Sequence, residues 1–197
     1  IELLQENLKL NSVVNVEVLS GAVSDKNGKA RFHLSHQSNL NTFHAVGSGF
    51  KHLSGKSIDV ETQTISNLSE TFGKPDLIRM DVEGHEVAVL NGAMEDIRLG
   101  IIRPGIIFET HLSRYSLEND MSETLKSLFD FGYRIKLAAS SWEEGSKRVE
   151  ALGYEPDMSI RTDGNVRKIF NDITNEDAID LICRTGGLRT IFLSADK

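Results

Sequence analysis

The clearest pattern of apolar and polar positions is a short apolar run that leads into an amphipathic helix. Residues 77–80 come shortly after a proline and are apolar apart from Arg79, which predicts a buried strand. The run ends at two alternating carboxylates, Asp81 and Glu83. Beyond them, apolar residues recur at helical spacing, at Val87, Leu90, Ala93, Met94 and Ile97. The pattern therefore predicts a strand that turns into a helix at Gly84.

A second strand repeats this arrangement further along the chain. Pro104 and Gly105 precede an apolar run that ends at Glu109 and His111. Alternating residues of a strand project to the same face, so we expect these two side chains to lie together. Open parallel sheets bind ligands outside the carboxyl ends of their strands. We therefore expect the chemistry of the protein at the ends of these two strands.

The N-terminal third of the chain carries signals for a helix, a hairpin and a loop. Apolar positions on one face predict a helix over residues 1–10, and the β-branched stretch 13–23 predicts a strand. Residues 30–34 and 58–65 alternate as the two strands of a hairpin. Residues 35–55 are rich in Ser, Asn, Gly and His, which is typical of a mobile loop that covers a site.

The rest of the chain alternates further helices with strands. The pattern predicts helices at 67–72 and 119–131 and strands at 133–138 and 191–193. It also predicts a helix that is capped by Thr174 and ended by Gly186 and Gly187. Residues 140–171 are charged and have no clean period, so we interpret them as an insertion of undetermined structure. The alternation predicts a single α/β domain over residues 1–197 with a mainly parallel sheet.

Composition excludes several classes of function. A chain of 197 residues is long enough for one domain with a sizeable core. The net charge of -7 argues against a nucleic-acid partner, whose phosphates require clustered Lys and Arg. No apolar run approaches the ~20 residues of a membrane span, so we predict no membrane partner. The single cysteine, Cys183, excludes an internal disulfide and favours a cytoplasmic location.

Several blocks of the sequence resemble a known family. Residues 76–93 begin Asp-Leu-Ile-Arg-Met-Asp-Val-Glu-Gly-His-Glu, and residues 106–111 read Ile-Ile-Phe-Glu-Thr-His. Both closely resemble the FkbM-type S-adenosylmethionine-dependent methyltransferases. Residues 3–11 and 15–25 fit the same family in the same order, and the resemblance fades after about Leu137.

The resemblance implies a Rossmann-like methyltransferase sheet with helices on both faces and S-adenosylmethionine as the cofactor. It implies that Ala22 and Val23 line the adenine pocket and that Asp81 lies beside the methionine moiety or the acceptor. The family's glycine-rich turn after the first strand is not found in this sequence. We therefore expect the chain to be the C-terminal portion of a methyltransferase domain without its N-terminal strands. Tight cofactor binding would then need the upstream elements.

Methyl transfer to oxygen requires an aligned hydroxyl and a base near the operating pH. Asp81, Glu109 and His111 meet this requirement at adjacent strand ends, and we predict them as the catalytic residues. Negative charge there also suits a cationic cofactor. For Glu83 the alternative is a helix cap or an ion pair, and His85 is a further candidate for the site.

A metal site is not assigned, although one alternative stays open. Asp81, Glu83, Glu109 and His111 are ligands suited to Mg²⁺ or Mn²⁺. The histidines of the loop region, His33, His36, His44 and His52, are spaced too loosely for a strong metal signal.

The sequence thus predicts an S-adenosylmethionine-dependent O-methyltransferase. Its acceptor would be a hydroxyl group on a sugar, a glycan or a polyketide-like metabolite, which the resemblance suggests. The rival hypothesis is a non-catalytic binding or assembly domain that keeps the sheet and has lost the cofactor site.

Overall fold

Two β-sheets, one of three strands and one of six, organise the computed structural model of the protein. The structure describes residues 1–37, 40–44 and 53–195. Its strands are β1 (Ala22–Val23), β2 (Gly28–Ser35), β3 (Leu53–Gln63), β4 (Leu77–Met80), β5 (Gly105–Glu109), β6 (Tyr133–Ser140), β7 (Met158–Thr162), β8 (Asn165–Asn171) and β9 (Leu188–Ala195). Its helices are α1 (Glu2–Leu10), α2 (Ile65–Phe72), α3 (Glu86–Asn91), α4 (Met94–Arg98), α5 (Met121–Asp130), α6 (Glu143–Ala151) and α7 (Asn175–Cys183), with a 3₁₀ turn at Leu112–Arg114. This mixed α/β structure confirms the predicted class.

The smaller sheet contains the predicted hairpin. β2 and β3 pair antiparallel, with Phe32 opposite Ile58, and β1 joins the other edge of β3 in parallel. The strand predicted over residues 13–23 is wrong except for its last two residues. Residues 13–20 join no ladder among the described residues, and Val14 is 94% exposed. A β-branched stretch forms a strand only where neighbouring surface covers it, and here none does.

The larger sheet corrects the prediction of a mainly parallel arrangement. Its strand order is β4-β5-β9-β6-β8-β7, in which β4 and β5 are parallel and the other neighbouring pairs are antiparallel. β9 starts beside the end of β5, where Thr110 donates a backbone hydrogen bond to Arg189, and runs back between β5 and β6. Periodicity identifies strands without giving their direction, so the sequence did not indicate this returning strand.

Residues 140–171 form a helix and a hairpin that belong to the larger sheet. α6 packs against β6 and β8, and the β7–β8 hairpin extends the sheet at its edge. Thr162 pairs with Asn165 across the two-residue turn Asp163–Gly164, and both turn residues have positive φ angles, 51° and 77°. Asp-Gly between two strands is a strong hairpin signal. That dipeptide, which the sequence analysis did not use, identifies the hairpin.

The main core lies where helices α3, α5 and α7 meet the larger sheet. α5 contacts α3, α7 and β6, and α7 also contacts β9. α5 begins at Asp120, whose carboxylate accepts two backbone hydrogen bonds, and α7 begins at Thr174, as predicted. Fully buried side chains from these elements include Leu90, Phe108, Leu125, Tyr133 and Leu181. Each such side chain contributes about 1.5–3 kcal/mol on burial, which holds the ends of β4 and β5 in place.

The helices of the chain are short. The helical pattern after β4 is divided into α3 and α4 at Gly92, where a Cβ would collide with the backbone oxygen of Ser24. Glycine at this position lets the chain beyond β1 approach α3 closely. α5, the longest helix of the described residues, has 10 residues. In the described part of the chain, no helix has the length and apolar character needed to cross a membrane.

Candidate active site

The ends of β4 and β5 lie side by side and carry the predicted site residues. Met80 pairs with Phe108 in the parallel ladder, so Asp81 and Glu109 leave the sheet at the same level. Glu109 also lies next to β9, where its carboxylate forms an ion pair with Arg189. Burial raises the pKa of Glu109, as does the charge of Asp81, while Arg189 opposes the shift. Glu109 therefore lies at the edge of the site, with its carboxylate already paired with Arg189.

A sharp turn connects β4 to α3. Glu83 and Gly84 both have positive φ angles, 53° and 95°. A Cβ on Gly84 would collide with the side chain of Arg114, so a glycine suits the turn that the sequence predicts at this position. Asn119, which is buried, donates hydrogen bonds to the backbone oxygens of Gly84 and Arg114 and so fixes the turn.

Asp81, Glu83 and His111 converge beyond this edge, and we name them the carboxylate–histidine cluster. The Nε2 atom of His111 lies 3.6 Å from Oδ1 of Asp81 and 3.9 Å from Oε1 of Glu83. Both distances exceed the 2.7–3.2 Å range of a hydrogen bond. Arg79 is the cation beside them, with Nη2 3.7 Å from Oδ2 of Asp81. The three side chains thus face a common point without direct hydrogen bonds to one another.

Glu86 holds His111 from the other side. Its Oε1 atom lies 3.0 Å from Nδ1 of His111 and also accepts hydrogen bonds from the backbone N–H groups of Val82 and Gly84. An ionised carboxylate only accepts hydrogen bonds, so Nδ1 carries the proton and donates it. The Nε2 atom is therefore the one that faces Asp81 and Glu83. Glu86 is fully buried, and its second oxygen, Oε2, has no hydrogen-bond partner among the described residues.

The surroundings of His111 favour its charged form. Burial by itself lowers the pKa of His111, but the hydrogen bond to Glu86 and the charges of Glu86, Glu83 and Asp81 outweigh burial and raise it. The backbone N–H of His111 donates to the hydroxyl oxygen of Tyr115, which fixes the main chain. Side chain and backbone are both held, so the imidazole has one orientation.

A second polar group lies on the other side of the β4–α3 turn, and we name it the serine–histidine chain. Nε2 of His85 lies 3.0 Å from Oγ of Ser24, and Nδ1 of His85 lies 3.3 Å from Nε2 of His44. Ser24 in turn donates to Asp25. The ring of Phe43 stacks on His85, with the ring centroids 4.3 Å apart. These contacts hold residues 43 and 44 of the predicted lid loop against α3.

The serine–histidine chain is electrically neutral. Burial, followed by the neighbouring His44, lowers the pKa of His85 to about 4. Burial also lowers the pKa of His44. Ser24 donates to Asp25, and the direction of each hydrogen bond at His85 depends on the tautomers of the two rings.

A cavity of about 1050 Å³ lies beside the carboxyl end of β4. Apolar and aromatic side chains form much of its wall, and three carboxylates, Glu17, Asp81 and Glu83, line it together with Arg79. The lining includes Ala22, Val23, Phe32, Phe43, Ile78, Asp81 and Glu83. The predicted cofactor residues Ala22, Val23 and Asp81 therefore line one cavity. This combination of flat apolar surface and negative charge fits a ligand that carries an aromatic ring and a positive charge.

Sequence reasoning brought some of these residues together and missed others. It predicted Asp81, Glu109 and His111 at one edge, and the structure has them there. Glu86, Ser24 and Phe43 were not predicted as site residues, since their partners are distant in sequence. Residues 38–39 and 45–52 of the predicted lid, which include His52, lie outside the described residues, and residues 53–55 are the start of β3. Among the described residues, Asp81, Glu83 and His111 are the group of three whose possible ligand atoms converge.

Comparison with known proteins assigns the chain to a family. Residues 1–135 match the Methyltransferase FkbM domain. The matched part contains β1 to β5, both polar groups and the cavity, and it ends within β6. No curated protein and no solved structure matches the chain significantly. Because the match covers well over half of the sequence, this chain belongs to the FkbM methyltransferase family.

Proposed function

We propose that the protein is an S-adenosylmethionine-dependent O-methyltransferase. The observation that supports this most directly is the position of the carboxylate–histidine cluster, whose members Asp81 and Glu83 also line the cavity beside β4. A methyl donor in the cavity and an acceptor at the cluster would be neighbours. Family membership supports the reaction class.

The residues of the cavity fit the proposed cofactor. When bound, S-adenosylmethionine supplies an electrophilic methyl group on a positively charged sulfur. Val23 and Phe32 offer apolar surface for an adenine ring, and Asp81 offers negative charge to the cationic part. Ala22 at the same wall leaves space because its side chain is small.

The cluster provides what an acceptor hydroxyl needs. As the new C–O bond forms, the oxygen must lose its proton, and a carboxylate within hydrogen-bond reach accepts it. Asp81 is partly exposed and lines the cavity, so we assign it this role. His111, held by Glu86, has its Nε2 3.6 Å from Asp81, and we assign it the orientation of the hydroxyl. Glu109, paired with Arg189, adjusts the charge of the edge.

The charge of the site favours a neutral acceptor. Two carboxylates at the acceptor position would repel phosphate or carboxylate groups. A sugar, a glycan or a polyketide-like metabolite offers neutral hydroxyl groups, and these are the acceptor classes we propose. We do not propose a nucleic-acid or membrane partner. A cytoplasmic location is proposed on cysteine usage, with Cys183 as the single cysteine.

The test is cofactor binding and methyl transfer by the full-length natural protein. Calorimetry should detect micromolar binding of S-adenosylhomocysteine, and labelled S-adenosylmethionine should transfer its methyl group to members of a panel of neutral hydroxylated acceptors. Absence of cofactor binding would overturn the proposal and favour the non-catalytic binding or assembly domain. Transfer of the methyl group to nitrogen or carbon would support a methyltransferase but reject a hydroxyl group as the acceptor.

A further inference from the structure

We propose that Asp81, Glu83 and His111 bind one divalent cation, Mn²⁺ or Mg²⁺, between their side chains. One oxygen from each carboxylate and Nε2 of the imidazole would be the protein ligands, and water or the acceptor would complete the coordination. Cation binding is independent of the proposed function, because it needs no methyl donor. Only the use of the cation, described below, depends on that function.

The geometry of the three ligand atoms fits a cation site. They lie within 4.8 Å of one another, and Nε2 of His111 is 3.6 Å and 3.9 Å from the two carboxylates. Around an ion with ligands at 2.0–2.1 Å, adjacent ligand atoms are about 3 Å apart and opposite ones about 4 Å apart. The observed separations are too long for hydrogen bonds, and Nε2 of His111 would approach each carboxylate by about 0.6–0.9 Å to occupy adjacent positions around one ion.

His111 is oriented as a ligand by Glu86. The hydrogen bond from Nδ1 to Oε1 of Glu86 is 3.0 Å long, and it leaves Nε2 as the atom on which a cation can replace the second ring proton. Metal-binding histidines usually donate their other N–H to a carboxylate or a carbonyl group, which fixes the tautomer and the ring plane. The pair of His111 and Glu86 has this arrangement, with Nε2 directed at Asp81 and Glu83.

The buried carboxylate of Glu86 is a second observation that favours positive charge at His111, which a cation on Nε2 can supply in place of a proton. Its side chain is 0% exposed, and within the described residues its Oε2 is the buried side-chain atom that lacks a hydrogen-bond partner. A buried carboxylate costs several kcal/mol unless positive charge or donors compensate it. A cation on Nε2 of His111 would place that charge one imidazole ring away from Glu86.

The two carboxylates of the ligand set suit Mn²⁺ and Mg²⁺. Carboxylate oxygens suit Mg²⁺, Ca²⁺ and Mn²⁺, and of these three Mn²⁺ is the transition-metal ion, which accepts an imidazole ligand more readily than the other two. Such an ion would bind the oxygen atoms of adjacent hydroxyl groups and increase the acidity of the one that is methylated. The substrate class would then be a vicinal diol, as on a sugar ring.

The test is direct titration of the full-length protein with Mn²⁺, followed by electron paramagnetic resonance of the free ion. We expect one saturable site per chain with micromolar affinity, and competition by Mg²⁺. Asp81→Asn and Glu83→Gln should each weaken binding at least tenfold, because each removes a ligand charge. Glu86→Gln should weaken it by about 10–100-fold through the orientation of His111.

The matched control is Asp59→Asn, which changes the same group on β3, where Asp59 pairs with Arg31 on the surface. We expect Mn²⁺ affinity to be unchanged in this variant. Equal weakening by Asp59→Asn and Asp81→Asn would indicate diffuse attraction by the net negative charge and would overturn the proposed site. Absence of saturable binding up to 1 mM Mn²⁺ would also overturn it, because functional sites bind their ion with dissociation constants of roughly 1 mM or below. A variant that does not fold, as judged by circular dichroism, cannot be used in this titration. In that case nuclear magnetic resonance of the unmodified protein with added Mn²⁺ is the test. Paramagnetic broadening of the His111 ring signals supports the site, and signals that stay sharp reject it.

Discussion

The two polar groups beside the β4–α3 turn use the same residue type in opposite ways. In the carboxylate–histidine cluster, negative charges surround His111 and raise its pKa. In the serine–histidine chain, burial against Phe43 and His44 lowers the pKa of His85 to about 4. The first histidine faces two carboxylates at the strand ends, and the second lies in a hydrogen-bonded network at the wall of the cavity. Environment, more than residue identity, sets the direction in which the pKa of each histidine shifts.

The comparison also indicates what each group does for the other. The serine–histidine chain fixes the start of α3, because His85 immediately precedes Glu86. Glu86 then fixes His111 across the turn. The neutral chain therefore acts as a support for the charged cluster. If this is correct, changes in the cluster should reduce activity, and changes in the chain should reduce stability first.

The largest effect is expected from Asp81→Asn. This change keeps the volume of the side chain and removes its charge and its basicity, and loss of a general base costs about 10²–10⁴ in rate. Methyl transfer by the full-length protein should fall by this factor, equivalent to about 3–5 kcal/mol in the barrier, while the melting temperature changes little. The assay measures initial rates with labelled cofactor and the best acceptor of the panel.

Ser24→Ala in the serine–histidine chain provides the contrast. Its rate should stay within about tenfold of the unmodified protein, because Ser24 contacts His85 and not the cluster. Asp59→Asn controls for removal of a surface charge. Near-normal transfer by Asp81→Asn would remove Asp81 from the mechanism and make His111 the better candidate for the base.

The sequence indicated the cluster more readily than its supports. Asp81, Glu83 and His111 follow predicted strands, and parallel strands bring their ends together, so local pattern was sufficient. Local pattern was not sufficient for strand direction. β9 places Arg189 next to Glu109 because it runs antiparallel to β5, and the spacing of apolar residues does not give the direction of a strand. Local order was predicted well, as the capped helix α7 shows.

The supports depend on contacts between distant parts of the chain. Glu86 meets His111 across 25 residues, and His85 meets His44 and Ser24 across 41 and 61 residues. In the sequence, Glu86 has the features of an ordinary acidic residue in the first turn of a helix. Its burial results from how α3 lies against the chain after β5, which only the tertiary structure determines.

An intermediate effect is expected from Glu86→Ala on the free energy of unfolding. The change leaves Nδ1 of His111 and the backbone N–H groups of Val82 and Gly84 without their acceptor. Removing one partner of a buried pair costs about 3–5 kcal/mol. Ser24→Ala should cost less, about 1–2 kcal/mol, since it removes the hydrogen bonds of one hydroxyl and leaves no fully buried carboxylate unpaired. Urea unfolding with a chelator present measures both, and equal losses would contradict the distinction between the two groups.

The smallest effect is expected from acidification, and it concerns the serine–histidine chain. The pKa of His85 is about 4 in the folded protein and near 6.5 in the unfolded chain, so between these values the unfolded state binds more protons. The free energy of unfolding therefore decreases as the pH falls from 6.5 to about 4. Below about pH 4 the protonation of His85 causes no further decrease. The loss is at most about 3 kcal/mol, from the difference between the two pKa values.

The groups that face His85 include His44, which lowers its pKa, and Asp25 and Glu86, which raise it. Unfolding of the unmodified protein and of His85→Gln, measured in chelator across this range, should give a steeper decline for the unmodified protein. Parallel curves would show that His85 is not held neutral and that the contrast with His111 fails.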